Sequence, residues 1–246
     1  MANGKRLVAA GIAALVIGLV LTFPARIAYQ WFAPAQVALS SISGSVWNGA
    51  AAQGSAAGLF LSDITWTFQP LSLLRLKAGY TVTARLPSGS LQTDVESGGG
   101  NSVQFNDLTA TVPLASLPGS LLPVNGVTGD LNLRFSTLVL TDGIPTEAEG
   151  TVEISRLVLQ ALSANALGDY RAQLQTEDGI ITGTVEDVSG VLDLNGNLVV
   201  NPDRAFSFIG HVAAGADAPS AVNEQLRFLG SPDQQGRREF RFEGNL

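Results

Sequence analysis

Few residues in this chain have the type and spacing that enzyme chemistry requires. His211 is the single histidine among 246 residues, and it could act as a general base only with a partner nucleophile. The sequence has no Gly-x-Ser-x-Gly turn that would supply a serine nucleophile. His211 also alternates out of phase with Phe206 and Phe208, so we interpret it as a histidine on the exposed side of a strand.

The polar clusters are equally weak as metal or phosphate sites. Asp193, Asn195 and Asn197 have the spacing that begins a calcium loop, but that loop would need Gly at Leu198 and Glu at Arg204. A second, acidic cluster is more typical of a solvated strand face, and it contains Asp142, Glu147, Glu149 and Glu153. Gly98-Gly99-Gly100 lacks the lysine of a phosphate-binding loop. We therefore expect no enzyme activity, no cofactor and no metal.

Composition removes further classes of protein. Hydrophobic residues make up 46% of the chain and charged residues 14%, which excludes a disordered protein. The formal net charge of −7 argues against nucleic acid as a partner. Because the chain has no cysteine, disulfide bonds and thiol catalysis are also excluded.

An apolar segment near the amino terminus predicts contact with a membrane. Lys5 and Arg6 precede seventeen uncharged residues, 7–23, which is the lower limit for a spanning helix. A signal-peptide core has similar features, but the first Ala-x-Ala pattern, Ala33-Pro34-Ala35, begins ten residues beyond Phe23. We therefore favour an uncleaved anchor over residues 7–25 and leave the signal peptide as the alternative.

The residues that flank this anchor predict its orientation. Lys5 and Arg6 place residues 1–6 in the cytoplasm, although Arg26 on the other side makes the asymmetry small. In the membrane-proximal segment 26–36, Tyr29, Trp31 and Phe32 are expected at the depth of the lipid headgroups. Residues 1–26 hold three basic and no acidic residues, so the exported remainder carries a formal net charge of −10.

Residues 37–246 read as antiparallel strands. Apolar residues alternate with polar ones, as in Ile64, Trp66 and Phe68, so each strand has one apolar and one solvated face. The fold class we predict is mainly β, with one transmembrane helix followed by a curved, U-shaped or folded-over antiparallel meander. Self-similarity suggests two related sub-sheets, at about 37–112 and 124–246. Meanders with Gly-bounded strands can look repetitive without such a relation.

Turn residues and phase changes divide this meander. Hairpin connections are predicted at Pro87-Ser88-Gly89, Gly98-Gly99-Gly100, Asp142-Gly143, Asp178-Gly179 and Asn195-Gly196. The apolar phase slips between Phe105 and Leu108 and between Phe135 and Leu138, which predicts β-bulges. Two short helical stretches are expected, at 114–117 and 220–229.

Three segments have unusual aromatic, glycine and proline residues. The first is Gly44 to Gly49, where the glycines allow a sharp bend around Trp47. The second runs from Trp66 to Leu74, where a strand must end before Pro70 and a Leu-rich turn contains Leu73 and Leu74. The third is a helix stop, a tight turn and a strand entry, marked by Leu229, Gly230, Pro232, Asp233 and Gly236.

These three segments, in this order behind one amino-terminal anchor, resemble the type II secretion system protein N family. The resemblance covers nearly the whole chain, with one departure, since Arg75-Leu76-Lys77 follows Leu74 where the family more often has a glycine. It implies an accessory subunit in the bacterial inner membrane whose carboxy-terminal domain lies in the periplasm. It implies no catalytic residue and no cofactor. A more distant architectural similarity links the anchor and curved sheet to AsmA-type proteins, whose β-grooves are associated with lipid transfer.

Two functions follow as hypotheses. In the first, the protein supports secretion through contacts with other inner-membrane subunits of the type II secretion system, by strand addition or through its solvated face. In the second, the apolar face of the sheet is only partly covered and binds an acyl chain, because a one-sided sheet needs a partner layer that two short helices cannot supply. The expected partners are therefore the bilayer, secretion subunits and, in the second hypothesis, lipid.

Overall fold

The computed structural model describes residues 2–32, 37–56, 58–119 and 126–245. Two helices open the chain, α1 (Ala2–Leu21) and α2 (Ala25–Phe32). Thirteen strands follow, β1 (Val37–Gly44), β2 (Asn48–Ala56), β3 (Leu59–Phe68), β4 (Ala78–Leu86), β5 (Gly89–Ser97), β6 (Ser102–Pro113), β7 (Val127–Thr141), β8 (Ile144–Leu159), β9 (Gly168–Glu177), β10 (Ile180–Gly190), β11 (Leu192–Val200), β12 (Ala205–Ala214) and β13 (Arg238–Asn245). A third helix, α3 (Ser220–Leu226), precedes the last strand.

Every strand pairs with its sequence neighbours in one antiparallel sheet, in the order β1 to β13. This confirms the predicted mainly β meander. Because neighbouring strands run in opposite directions, every connection that follows an odd-numbered strand lies at the same end of the sheet. We call this the α1-side end, since the β1–β2 turn there contacts α1. The predicted division into two sub-sheets stays a prediction, and its boundary near 124 lies outside the described residues.

The apolar residues lie on one face of the sheet, as the alternation predicted. The larger buried cluster includes Leu86 of β4, Leu108 of β6, Phe135 of β7 and Ile181 of β10. Within the described chain, the main strand contacts join sequence neighbours, and β8 also meets β10. The helices and short 3₁₀ turns contact β1, β4, β7, β12 and β13. The seven buried residues of this cluster come from β4, β6, β7, β8 and β10, so in the middle of the sheet the apolar side chains of the described strands are buried mainly against one another.

Both predicted phase slips are confirmed as register shifts. Asp107 takes a left-handed backbone (φ 49°) where β6 shifts register against β5. The pairing of β7 with β8 shifts between Phe135 and Thr137. Each shift puts an extra residue into one strand, which bends that strand and increases its twist.

Four of the five predicted hairpin connections are confirmed, and the one at Asn195-Gly196 is wrong. Both residues lie inside β11, where Gly196 pairs with Val185 and with Gly210 on either side. A Cβ atom on Gly196 would lie 2.6 Å from Cζ of Phe208. The glycine makes room for an aromatic ring on the neighbouring strand and does not form a turn.

Both predicted short helical stretches are found, and the structure contains further helices that the sequence did not predict. A 3₁₀ turn covers Leu114–Ser116, and α3 continues into a 3₁₀ turn, Arg227–Leu229, before Gly230. The structure adds α2 and a 3₁₀ helix, Pro70–Arg75. Among the residues that the structure describes, no helix is long and apolar enough to cross a membrane. The candidate cleavage site at 33–35 lies outside those residues.

Tyr170 on β9 makes the stability of the protein depend on pH in the alkaline range. Its hydroxyl donates to the carbonyl oxygen of Leu167 at 3.3 Å. Burial, with the charges of Asp187 and Asp169 as smaller causes, raises the pKa of Tyr170 from 10.0 to about 12. The contribution of Tyr170 to stability is therefore complete below its unfolded pKa and is lost as pH rises through its folded pKa, because the unfolded chain ionises first.

We expect the free energy of unfolding of Tyr170→Phe to fall less steeply with rising pH in the alkaline range than that of the wild type. The variant should lose about 1 kcal/mol near neutral pH, because the hydrogen bond to Leu167 is absent. Urea unfolding of wild type and variant between about pH 9 and 12 measures both slopes. Equal slopes would show that another group governs the alkaline transition.

Candidate membrane-proximal site

The turn between β1 and β2 lies against the carboxyl end of α1. The indole Nε1 of Trp47 donates to the carbonyl oxygen of Val20 at 2.7 Å. The backbone N–H of Val46 donates to the carbonyl oxygen of Phe23 at 3.0 Å. Pro24 and Ser45 form an isolated antiparallel bridge. The last carbonyls of a helix need hydrogen-bond donors from outside it, and here the sheet supplies the indole N–H of Trp47. The turn therefore connects α1 to the sheet.

Two glycines shape this turn in different ways. Gly44 has a φ of +83°, which L-residues rarely adopt, and a Cβ atom there would lie 2.5 Å from the carbonyl oxygen of Asn48. Gly49 has ordinary backbone but faces Trp66, whose Cζ2 would lie 2.5 Å from an added Cβ atom. Gly44 thus allows the bend that the sequence predicted, whereas Gly49 makes room for an indole ring.

An aromatic stack joins the first motif segment to the second. The rings of Trp47 and Phe68 meet edge to face at 4.8 Å, and those of Phe68 and Tyr80 at 5.4 Å. The backbone N–H of Phe68 donates to the carbonyl oxygen of Trp47 at 2.6 Å. The indole Nε1 of Trp66 donates to the carbonyl oxygen of Ser45 at 3.2 Å. Burial raises the pKa of Tyr80. The structure therefore brings Gly44, Trp47, Gly49 and Trp66 together in one site.

The segment after β3 is fixed by a buried serine. Ser72 is 1% exposed, its hydroxyl donates to the carbonyl oxygen of Gln69 at 2.6 Å, and it accepts from the backbone N–H of Gly79 at 2.9 Å. Strand β3 ends at Phe68, before Pro70, as predicted. Leu76 takes a left-handed backbone (φ 57°), the conformation that suits the glycine more usual here in the family.

A buried carboxylate ties the same segment to the sheet. Glu96 on β5 is 3% exposed. It forms an ion pair with Arg75, and its Oε2 lies 3.5 Å from Nζ of Lys77. Lys77 Nζ also donates to Oε1 of Gln104 at 2.8 Å. Sequence reasoning missed both Ser72 and Glu96, because neither a serine in a Leu-rich turn nor a glutamate on a strand shows its burial in the sequence.

The third motif segment is not part of this site. It follows β12 at the other end of the strands. Gly230 and Gly236 have φ values of +99° and +81°. Asp233 Oδ1 accepts from the backbone N–H groups of Gln235 and Arg237, each at 2.8 Å. The bond from Arg237 is the main cause that lowers the pKa of Asp233. Leu229, Gly230, Pro232, Asp233 and Gly236 thus shape a turn that leads into β13, as the sequence predicted.

The residues predicted to flank the anchor lie in α1 and α2. Lys5 and Arg6 are near the start of α1, and Arg26 is exposed on α2. Trp31, also on α2, lies 6.1 Å from the ring of Phe23. One feature of the sequence indicates where α2 begins: Pro24 directly precedes its first residue, and proline is common at the start of a helix.

Tyr29 on α2 has a structural role that sequence reasoning missed. Its hydroxyl donates to the carbonyl oxygen of Val37 at 3.1 Å and accepts from the backbone N–H of Leu39 at 2.9 Å. Both groups belong to β1, the first strand of the sheet. Tyr29 therefore covers part of an edge that would otherwise be open to other strands.

The polar residues considered for chemistry are dispersed. His211 Nε2 lies 3.7 Å from Oε2 of Glu239, its cross-strand neighbour on β13. In the described part of the chain, no three His, Cys, Asp or Glu residues are grouped so that they could hold a metal ion. The arrangement around Trp47 connects α1 to the sheet through hydrogen bonds and ring contacts.

Comparison with known proteins agrees with the family resemblance of the sequence. The family model described as type II secretion system (T2SS), protein N matches residues 35–241. The chain is 26% identical to type II secretion system protein N of Vibrio cholerae, over 94% of each chain. It is 28% identical to the Aeromonas hydrophila protein of that name over 87% of this chain and 86% of the relative. It is 26% identical to the Pectobacterium carotovorum protein over 91% and 90%.

No solved structure gives a significant match to the chain. The family model covers most of the sheet and all three motif segments. The chain therefore belongs to the type II secretion system protein N family.

Proposed function

We propose that the protein is an accessory component of the type II secretion system in the inner membrane, acting through contacts between proteins. Its segments would be a cytoplasmic terminus (1–6), an anchor (7–25), a membrane-proximal segment (26–36) and a periplasmic β domain (37–246). Family membership supports the pathway. The observation that carries the mechanism is the bond between Trp47 and α1, because it fixes the sheet to the anchor that would hold it near other membrane subunits.

The apolar surface of α1 supports the anchor. Its large apolar side chains from Ile12 onward are half or more exposed, namely Ile12, Leu15, Val16, Ile17, Leu19, Val20 and Leu21. So much exposed apolar surface on one helix is costly in water and favourable in hydrocarbon. Lys5 and Arg6 favour a cytoplasmic amino terminus. The acidic remainder of the chain would then face the periplasm.

The free edge of β13 supports docking by strand addition. Strand β13 pairs with β12 alone among the described strands, whereas Tyr29 covers part of the opposite edge at β1. An uncovered edge presents backbone donors and acceptors to an incoming strand. Secretion subunits that approach the sheet would therefore bind along β13.

Photo-crosslinking in cells tests this assembly role. A photoreactive side chain at Arg241 on β13 should give adducts with inner-membrane secretion subunits. The matched control is Ser40, an exposed residue on the edge that Tyr29 covers. If neither position recovers a secretion subunit, and deletion of the protein leaves exported substrates unaffected, the assembly role is abandoned.

This proposal includes no catalytic step, and His211 provides the sharpest test of that statement. His211→Ala should leave both the protein level and secretion unchanged, because the imidazole is partly exposed and its ion-pair partner Glu239 is exposed. Loss of secretion at an unchanged protein level would require an enzymatic role to be reconsidered.

Lipid binding is a second candidate function, favoured by a recess at the α1-side end. The recess has a volume of about 360 Å³, and its lining includes Ile144, Pro145, Ile181, Val200 and Arg204. Ile181 belongs to the buried cluster, and Val200 packs against it. The apolar face of the sheet thus continues into an opening with one basic side chain, which suits an acyl chain and its phosphate group.

Two adjacent valines give a matched test of lipid binding. Val200 pairs with Ile181 on the apolar face, and Val199 points to the other face because side chains alternate along a strand. A photoreactive side chain at position 200 should form phospholipid adducts, detectable by mass spectrometry, and the same group at position 199 should not. Absence of lipid from both positions would remove this function.

A further inference from the structure

The segment after β3 exposes a concentrated apolar surface. Among the described residues between 37 and 245, nine large apolar side chains are exposed, and four of them lie within six residues. They are Leu71 at 75%, Leu73 at 54%, Leu74 at 83% and Leu76 at 88% exposed. We call these four residues the leucine patch. Single exposed apolar residues are common, but such a cluster marks an interaction surface.

The leucine patch is held in place by its own backbone. Ser72, between the leucines, is buried and hydrogen-bonded at both ends of the segment, and the neighbouring Arg75 is paired with the buried Glu96. Leu76 keeps a left-handed backbone, which a side-chain-bearing residue rarely adopts. The segment is therefore fixed by its buried polar contacts while its leucines stay exposed.

The position of the patch identifies its partner. It lies at the α1-side end of the sheet, directly after Phe68, whose ring packs on Trp47, which in turn bonds to Val20 of α1. Residues 70–77 contain two basic and no acidic residues, and with Glu96, which pairs with both, the local formal charge is +1, in a chain with a net charge of −7. Apolar side chains flanked by basic ones favour the boundary between acyl chains and anionic headgroups.

We infer that the leucine patch inserts into the surface of the membrane that holds α1, giving the sheet a second membrane contact. This inference rests on the proposed anchor. With α1 and the patch both in contact with lipid, the sheet has two points of attachment, so its rotation about α1 is restricted.

Fluorescence quenching of the full-length protein tests this contact. The chain has no cysteine, so Leu74→Cys, Leu76→Cys, Val16→Cys and Phe228→Cys can each carry one fluorophore. Each variant is reconstituted in phosphatidylethanolamine–phosphatidylglycerol vesicles that contain lipid with a nitroxide on its acyl chain. Phe228 is the matched control, because it is 84% exposed but lies at the other end of the strands.

We expect the labels at 74 and 76 to lose most of their fluorescence, as the label at 16 does, and the label at 228 to keep it. Quenching at 16 without quenching at 74 and 76 would overturn the patch contact and leave the proposed anchor intact. No quenching at 16 would instead remove the anchor, and the inference with it. If the labels at 74 and 76 escape quenching in vesicles, and the unlabelled cysteines at these positions are shielded from a water-soluble maleimide in cells, the patch belongs to a protein partner and the lipid contact is overturned.

Discussion

Replacing Trp47 with alanine should lower the free energy of unfolding of the full-length protein by about 2–3 kcal/mol. The substitution removes the edge-to-face contact with Phe68 and leaves the carbonyl oxygen of Val20 without its indole donor. Because the indole is only half-buried, the loss should be smaller than for a tryptophan in a sealed core. Urea unfolding in detergent, followed by the β-sheet circular dichroism signal, measures it.

Trp47→Phe separates the two contributions of this side chain. Phenylalanine keeps a ring against Phe68 but cannot donate to Val20, so the variant should lose about 1 kcal/mol. If Trp47→Ala and Trp47→Phe were both as stable as the wild type, Trp47 would not hold α1 to the sheet. The mechanical basis of the proposed function would then be withdrawn.

Gly49→Ala should destabilise the protein by about 2–3 kcal/mol, although it adds a single methyl group. The new Cβ atom would lie 2.5 Å from Cζ2 of Trp66 and 2.7 Å from the carbonyl oxygen of Ser43. The backbone atom cannot rotate away, and the indole cannot move without breaking its bond to Ser45. The variant should therefore disturb the whole turn that contacts α1.

Gly119→Ala is the matched control for Gly49→Ala. Both glycines have backbone conformations open to other residues, but an added Cβ atom at position 119 meets no atom of the described residues within 4 Å. Its stability should change by less than about 0.5 kcal/mol. Equal effects of the two substitutions would indicate a general cost of losing glycine, and would count against a specific contact between Gly49 and Trp66.

Much of the fold could be predicted because it depends on local rules. Alternation of apolar and polar residues predicted the faces of β3 and β4, and Asp-Gly pairs predicted the turns at 142–143 and 178–179, where both residues take positive φ values. Phase slips predicted bulges near Asp107 and Ser136 because an extra residue in a strand inverts the alternation. The same local reasoning failed at Asn195-Gly196, where a neighbouring ring and not the backbone requires the glycine.

The candidate site was predicted only in part. Trp47, Trp66 and the leucines at 73 and 74 stood out by residue type, and the resemblance grouped them with Leu229 to Gly236. Nothing in the sequence indicated that the first two segments meet while the third lies at the other end of the strands. Nor did it indicate that Ser72 is buried while the leucines around it are exposed, which reverses the usual preference of these residues.

The sequence by itself determined the antiparallel meander, its turns and its two-faced strands, because each depends on residues a few positions apart. Tertiary structure alone decided which strand ends meet α1, where Glu96 and Ser72 are buried, and that the leucine patch faces outward beside Trp47. Apart from Ser72, which bonds within its own segment, these features depend on contacts between residues about 20 or more positions apart, such as Trp47 with Val20 and Arg75 with Glu96. Contacts of that kind leave no periodic trace in a single sequence.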